Sequence, residues 1–247
     1  MSRVFGEVAA LYDDVRPGYP PELLETLTAY HGGIPESVAD LGAGTGKATE
    51  LLLTLGAPVT AVEPDPRMAG VLARKFPAAE VVTAAFEQWT PPPGGVGLVA
   101  CATAWHWLDP ATRDRRVHAA LRPRGTLAIL HNRHGYAEPA QQAAVDAIMQ
   151  AIDPARNVDD RPVDWARTEL DQSGLFADTA VHEWHRHPVF STEQYLGLVR
   201  TFSTYRRHTP AEQRRTLADL RAAIDGWGGA LRMDIHTILV LGRAVAG

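Results

Sequence analysis

Residues 38–50, VADLGAGTGKATE, constrain this chain more than any other stretch: glycines 42, 44 and 46 follow a short apolar run that ends in Leu41 after an acid, Asp40. The run SVADL (37–41) reads as a buried strand, and KATELLLTLG (47–56) as a helix ended by Gly56. Alternate glycines let the turn between them bring backbone close to a ligand without Cβ collisions.

Two phosphate loops fail on spacing. A P-loop requires glycine five positions before Gly46 and a hydroxyl after the lysine, but Leu41 and Ala48 stand there. A dinucleotide loop started at Gly42 and Gly44 requires a third glycine where the chain has Lys47. An acid at the strand end suits an ammonium or sulfonium group better than a pyrophosphate, so an amino-acid-bearing nucleoside is the better ligand for the loop. Glu63 ends the next strand about 20 residues on, where α/β nucleoside sites place a carboxylate for ribose hydroxyls.

Strand-like and helix-like segments alternate along the first half. PVTAVEP (58–64), AEVVTA (79–84), GLVACAT (97–103) and GTLAILH (125–131) read as strands two to five. PRMAGVLARKF (66–76) and DRRVHAAL (114–121) read as helices, the first with Pro66 in its opening turn. Beyond residue 131 the pattern is mostly helical, near 138–152, 162–173, 191–200 and 210–225. Two further strands, 179–190 and 230–244, suit an antiparallel pair. The expectation is one α/β domain over residues 1–247, with a Rossmann-like, seven-stranded, mostly parallel sheet, helices on both faces and an antiparallel edge. Its core spans about 33–131 plus the two late strands. A helical lid, from residues 1–30 and the helices within 132–229, would cover the carboxyl ends of the strands, where open α/β sheets bind ligands.

Composition narrows the partners. The net charge is −5 and the basic residues are scattered, so the footprint of a nucleic-acid binder is missing. RDRR (113–116) and RR (206–207) read as solvated helix surface. The single cysteine, Cys101, makes no internal disulfide, the N-terminus lacks a secretion pattern, and no apolar run nears the roughly 20 residues that span a bilayer. A cytoplasmic protein that binds neither membrane nor nucleic acid, as monomer or homodimer, is expected.

The segments DLGAGTG, VTAVEPDPRM, VVTAAFEQW, LVACATAWHWLD and LRPRGTLAI, with the N-terminal FGEVAALYDDVRPGYP, together resemble the class I S-adenosylmethionine-dependent methyltransferases. Within them the chain is similar to the small-molecule group that includes the trans-aconitate methyltransferases. The resemblance covers most of the chain and implies S-adenosylmethionine as cofactor. It implies Asp40, Gly42, Ala43 and Gly44 at the methionine end, Glu63 and Pro64 at the ribose, and Met68 on one adenine face. Ala85 and Phe86 would reach the adenine edge, Phe86 by stacking, and the Cys101 carbonyl would meet the methionine ammonium. Tyr12 and Arg16 would close over the cofactor carboxylate, and Trp107 would pack the cofactor site.

Methyl transfer is an in-line displacement at an already activated methyl, so the protein must mainly position the acceptor and exclude water. His106, in AWHWLD (104–109), is the candidate base for a hydroxyl or an acidic carbon, its bland alternative being a packing or capping histidine. Arg16, Arg133 and Arg206 are candidate clamps for an acidic acceptor. His182, His185 and His187 share a segment, but alternation puts His182 on the opposite face, and no metal is expected. The Asn/Asp-Pro-Pro-aromatic motif of amide- and adenine-nitrogen methyltransferases is replaced by CATA (101–104), which favours an oxygen or carbon of a small metabolite. The rival readings are a nicotinamide-dependent oxidoreductase, opposed by the glycine spacing, and a non-catalytic S-adenosylmethionine-binding protein.

Overall fold

The structure is a computed structural model that describes residues 9–153 and 161–246. Four parallel pairings join β1 (Val38–Leu41), β2 (Val59–Val62), β3 (Glu80–Val82), β4 (Val96–Ala102) and β5 (Leu121–Tyr136). Each connection between consecutive parallel strands crosses through a helix or turn, as a parallel pair requires. The remaining strands are β6 (Phe176–Arg186), β7 (Val189–Ser191) and β8 (Ala230–Ala244). Strand β8 lies antiparallel between β5 and β6, giving the order β3-β2-β1-β4-β5-β8-β6, and β7 pairs with the start of β8.

The expected mixed sheet is therefore present, with three differences of detail. The stretch expected as one strand over 179–190 divides into β6 and β7 around His187 and Pro188, because proline has no N–H to give to a ladder. Strand β7 raises the count among the described residues to eight. Strand β5 continues past residue 131 to Tyr136, because β8 offers it antiparallel partners as far as Met233.

Alternation on the central strands feeds two apolar layers. Leu98, Ala100, Ala128 and Leu130 face α2 (Glu22–His31) and α3 (Lys47–Leu53), with Leu23, Leu27 and Leu52 buried among them. Val99, Cys101, Leu127 and Ile129 face Val117 of α5 (Arg113–Ala120) and Ala166 and Leu170 of α7 (Trp165–Ser173). Helix α2 lies in the N-terminal stretch that was expected to cover the site, yet its leucines pack on the sheet.

A third cluster is built from α6 (Pro139–Ile152), α8 (Thr192–Arg200), α9 (Ser203–Arg206), α10 (Pro210–Gly226) and the first half of β8. Tyr195 and Tyr205 belong to this core, and the Tyr195 and Tyr136 hydroxyls share a hydrogen bond. Both α8 and α10 open with a complete capping box, from Ser191 with Gln194 and from Thr209 with Glu212. Helix α1 (Ala9–Val15) packs on α8, where a Cβ on Gly197 would come within 2.9 Å of Val15.

RDRR contains a buried exception to the solvated face that its charges imply. Arg113 is buried, donates to the Trp105 carbonyl at 2.8 Å and pairs with Glu169 at 2.5 Å. Its guanidinium also lies 4.9 Å from the centre of the Trp105 ring. Burying this charge is tolerable because it is hydrogen-bonded and stacked.

Gly46 and Gly56 separate two costs. Both have positive φ, 94° and 76°, but a Cβ on Gly46 would sit 2.7 Å from the Phe76 ring, whereas one on Gly56 meets nothing within 4 Å. Gly56→Ala should cost about 1 kcal/mol for the left-handed backbone, and Gly46→Ala about 1–3 kcal/mol more for overlap. Urea unfolding of the two variants beside the parent measures the difference.

Candidate functional site

The glycine loop is held from below by Glu63. Its side chain is buried, with Oε2 accepting from the Gly44 amide at 2.9 Å and Oε1 from the Asp65 amide at 2.8 Å. The Gly42 and Ala43 amides both donate to the Val62 carbonyl, so β2 sets the height of the loop. Burial pushes the Glu63 carboxyl above the usual carboxylate range, against the pull of these two amides. Asp65 caps α4 (Pro66–Lys75) through the Arg67 amide at 2.9 Å, and Arg67 pairs with it.

Asp40 lies one layer deeper and is fully buried. Thr49 donates to its Oδ2 at 2.6 Å, and among the described residues Oδ1 has no hydrogen-bond partner. Its carboxyl is raised to about 6, chiefly by burial and further by the Glu63 charge.

Above the loop is a cleft of about 1150 Å³, which exceeds the roughly 300–1,000 Å³ usual for a single small ligand and leaves room for two. Tyr12, Arg16, Gly42, Gly44, Glu63 and Pro64 line it, as do Met68, Ala85, His106 and Trp107. Ala43 instead lines an adjoining recess of about 50 Å³, between the loop and Tyr12, Arg16 and Tyr19, a space for a few water-sized groups.

Several expected residues are elsewhere. Asp40 lies beneath the lining. Phe86 opens a short 3₁₀ turn and its ring is buried in the sheet core, 6.5 Å from Trp89, so stacking on a ligand in the cleft is not available to it. Cys101 is fully buried within β4, its thiol pushed up by burial, and the lining passes to Ala102, Thr103 and Ala104. Of the three candidate clamps, Arg16 and Arg133 line the cleft and Arg206 does not. Arg16 donates to the Thr201 hydroxyl at 2.9 Å and carbonyl at 3.2 Å, and its guanidinium lies about 5 Å from the rings of Tyr12 and Phe202. Arg133 donates to the carbonyls of Arg161 and Pro162.

Four contributors went unread in the sequence. Thr103 directly follows β4 with φ 53°, rare for a β-branched residue, and shares a 2.9 Å hydrogen bond with the Tyr19 hydroxyl. Only the YP at the end of the N-terminal signature pointed towards Tyr19, and nothing marked Thr103. Asn132 and His134 follow on the continued β5, which extends the strand into the cleft wall. The His106 ring lies 4.9 Å from Trp107 and 6.2 Å, edge-on, from His131, so several imidazoles line one end.

With this geometry in view, residues 38–125 match the model of a methyltransferase domain. Over those residues the chain is similar to methyltransferases, and its fold is shared with solved structures of that name. An uncharacterised methyltransferase of Mycobacterium tuberculosis is 39% identical over 132 residues, 53% of this chain and 53% of that protein. The chain thus spans about half the length of the curated relatives it matches. The structure of a candidate type II methyltransferase from Anaeromyxobacter dehalogenans is similar with a TM-score of 0.66 at 22% identity, over 94% of this chain and 99% of that one. A phosphoethanolamine N-methyltransferase 2 of Haemonchus contortus, solved in complex with S-adenosyl-L-methionine, shares the fold with a TM-score of 0.55 at 13% identity, over 98% of this chain and 57% of that one. Among the described residues, no helix is long and apolar enough to cross a membrane.

His134 provides a pH test of this wall. Burial, with Arg16 and His131 nearby, lowers its pKa from 6.5 to about 3, so the folded protein holds it neutral while the unfolded chain protonates it. Between about pH 6.5 and 3 the unfolded state binds the extra proton. This group therefore subtracts stability as pH falls, by at most about 1.4 kcal/mol per unit. His134→Gln should flatten that acid limb when denaturant midpoints are compared from pH 7 to 4.

Proposed function

We propose that the protein transfers a methyl group from S-adenosylmethionine to an oxygen or carbon of a small organic acceptor. The observation that carries the reading is the Glu63 carboxylate at the cleft floor. Each carboxylate oxygen has about two acceptor positions, and one backbone amide uses one of them on each, which leaves one per oxygen for two vicinal ribose hydroxyls. The free Asp40 Oδ1 fits the same ligand: a buried acceptor without a donor is costly, and an ammonium reaching the recess, directly or through water, supplies one. The remaining N–H groups of Arg16, fixed by Thr201 and two aromatic rings, suit the carboxylate end of an amino acid. Met68 and Ala85 bound the side where an adenine would lie.

S-adenosylmethionine would supply an electrophilic methyl on a sulfonium. The chain's own part is to hold the acceptor against it and keep water out, which suits a cleft closed by α1, α6 and α9. His106 takes the proton when the acceptor is a hydroxyl or an acidic carbon, and Arg133 steers an acidic one. A carboxylate acceptor needs no base.

A thermal-shift comparison of S-adenosylmethionine, S-adenosylhomocysteine, NAD and ATP tests the cofactor. Ligand at 100 times its dissociation constant stabilises by about 2.7 kcal/mol. Shifts with the two sulfur nucleosides alone support the reading, and a shift with NAD alone replaces it by an oxidoreductase. Asp40→Ala should weaken S-adenosylmethionine binding more than tenfold in calorimetry. Because the free carboxyl is raised to about 6 and the ammonium favours its ionised form, wild-type binding should release protons and weaken as pH drops below 6. His106→Ala should keep cofactor affinity within a few-fold and lower turnover about 10²–10⁴-fold with a hydroxyl acceptor, but not with a carboxylate.

A further inference from the structure

Strands β6 and β8 carry a cluster that none of the preceding chemistry uses. Their antiparallel register sets His185 opposite His236 and Glu183 opposite Ile238, so Glu183, His185 and His236 project from one face. One ligand atom from each lies within 4.8 Å of the other two. Glu183 Oε2 is 2.7 Å from His236 Nε2, and the His185 and His236 rings stack with centres 4.2 Å apart at 12°. On the other side of His185, Nδ1 lies 2.9 and 3.0 Å from the two oxygens of Asp234. With the Nδ1 proton given to this carboxylate, Nε2 of His185 keeps its lone pair. A carboxylate behind a liganding imidazole is the arrangement that fixes tautomer and ring direction at metal sites.

We infer that Glu183, His185 and His236 bind one divalent transition-metal ion, with Asp234 as the support behind His185. Two imidazoles and one carboxylate suit zinc, cobalt, nickel or copper, whereas magnesium and calcium prefer oxygen alone. An ion between the exposed Glu183 and the partly buried His236 at ordinary bond lengths of about 2.0–2.2 Å opens their present contact to a little over 3 Å. The two imidazoles lie stacked with their in-plane lone pairs side by side, so the exposed His185 ring must also turn to aim Nε2 at the ion. The Arg133 guanidinium, although opposite His236 in the sheet, is directed at the Arg161 and Pro162 carbonyls. Expecting no metal followed from weighing His182, His185 and His187 alone; the ligands come from two strands, and His236 lies 51 positions beyond His185 in the sequence.

Three protein ligands leave a coordination position open. Asp234 and His236 line the large cleft, so that position opens on its acceptor end and accepts an anionic oxygen such as a carboxylate or phenolate. This last step rests on the methyltransferase reading; the metal site does not.

Calorimetric titration of the chelator-stripped full chain with zinc or cobalt, without cofactor, tests the site. Saturable binding of one equivalent is expected, weakened at least tenfold by His236→Ala and by Glu183→Gln, and about 10–100-fold by Asp234→Asn. His182→Ala, on the other face, should leave it unchanged. Cobalt should show visible absorption bands that move when acetohydroxamate, an oxygen chelator, is added. Absence of saturable binding, or equal affinity in the Glu183→Gln and parent proteins, overturns the site. Unmoved cobalt bands overturn only the open position. Glu183 is exposed, so its variant remains decisive even when His236→Ala fails to fold, as checked by circular dichroism. A failed cofactor shift with intact zinc binding would refute the methyl-transfer reading and leave the metal site standing.

Discussion

The hold of one buried carboxylate on two backbone amides organises the ligand end of this sheet. Glu63 stands at the end of β2 and takes the amides of Gly44, in the loop after β1, and Asp65, at the start of α4. Two consecutive strand–helix units are thus tied through one side chain. Replacing it by an isosteric amide would put an N–H against one of those donors, a clash of like dipoles in a buried place where each unmet group costs about 1–3 kcal/mol. The loop, its helix α3 and the cap of α4 therefore move together or not at all. This is also why the carboxyl stays available: the amides that fix it favour the ionised form, while burial works against it.

Strand β8 does for the cover what Glu63 does for the floor. Its second half contributes Leu239 and Leu241 to the sheet core, and its first half contributes Leu231, Met233 and Ile235 to the cluster of α6, α8 and α10. One continuous ladder thus joins two cores that share few other elements. A polar seam reinforces it: Thr237 donates to Asn132 Oδ1 at 2.6 Å, Asn132 Nδ2 donates to the Gly18 carbonyl at 3.2 Å, and Arg186 donates to the same carbonyl at 2.6 Å. The segment after α1, which brings Arg16 and Tyr19 to the recess, is thereby anchored to three strands. The cover is positioned by the sheet rather than hung from it.

What could be read in the sequence follows from how local each constraint is. The apolar runs of β1, β2 and β4, the alternate glycines and the acid at 63 are short-range signals, and each gave the element that the structure contains. The helical segments read near 191–200 and 210–225 likewise correspond to α8 and α10. Non-local effects were not legible. Whether β5 stops at 131 or runs to 136 depends on β8, a hundred residues away. Phe86 and Arg113 exchange the expected places of an aromatic at a ligand and a charge in water, because a 3₁₀ turn aims the ring inward and Glu169 and Trp105 shelter the guanidinium. The positive φ of Thr103 opposes its own propensity, so only the folded surroundings reveal it.

The electrostatics of the floor decide which kind of nucleoside the cleft suits. Asp40 and Glu63 are both buried, both raised above the usual carboxylate range, and each is burdened by desolvation; Asp40 is raised further by the charge on Glu63. Two such acids under one loop repel a pyrophosphate and stabilise a cation, since a positive group lowers both pKa values at once. A dinucleotide would satisfy Glu63 through its ribose but bring its diphosphate to the helix start of α3, next to the buried Asp40. On the proposed reading, an amino acid joined to adenosine would bring an ammonium there instead, and its carboxylate would face Arg16, which Thr201, Tyr12 and Phe202 hold in place. The ammonium of that ligand would complement the two buried acids of this floor, where the diphosphate of a dinucleotide would meet like charge.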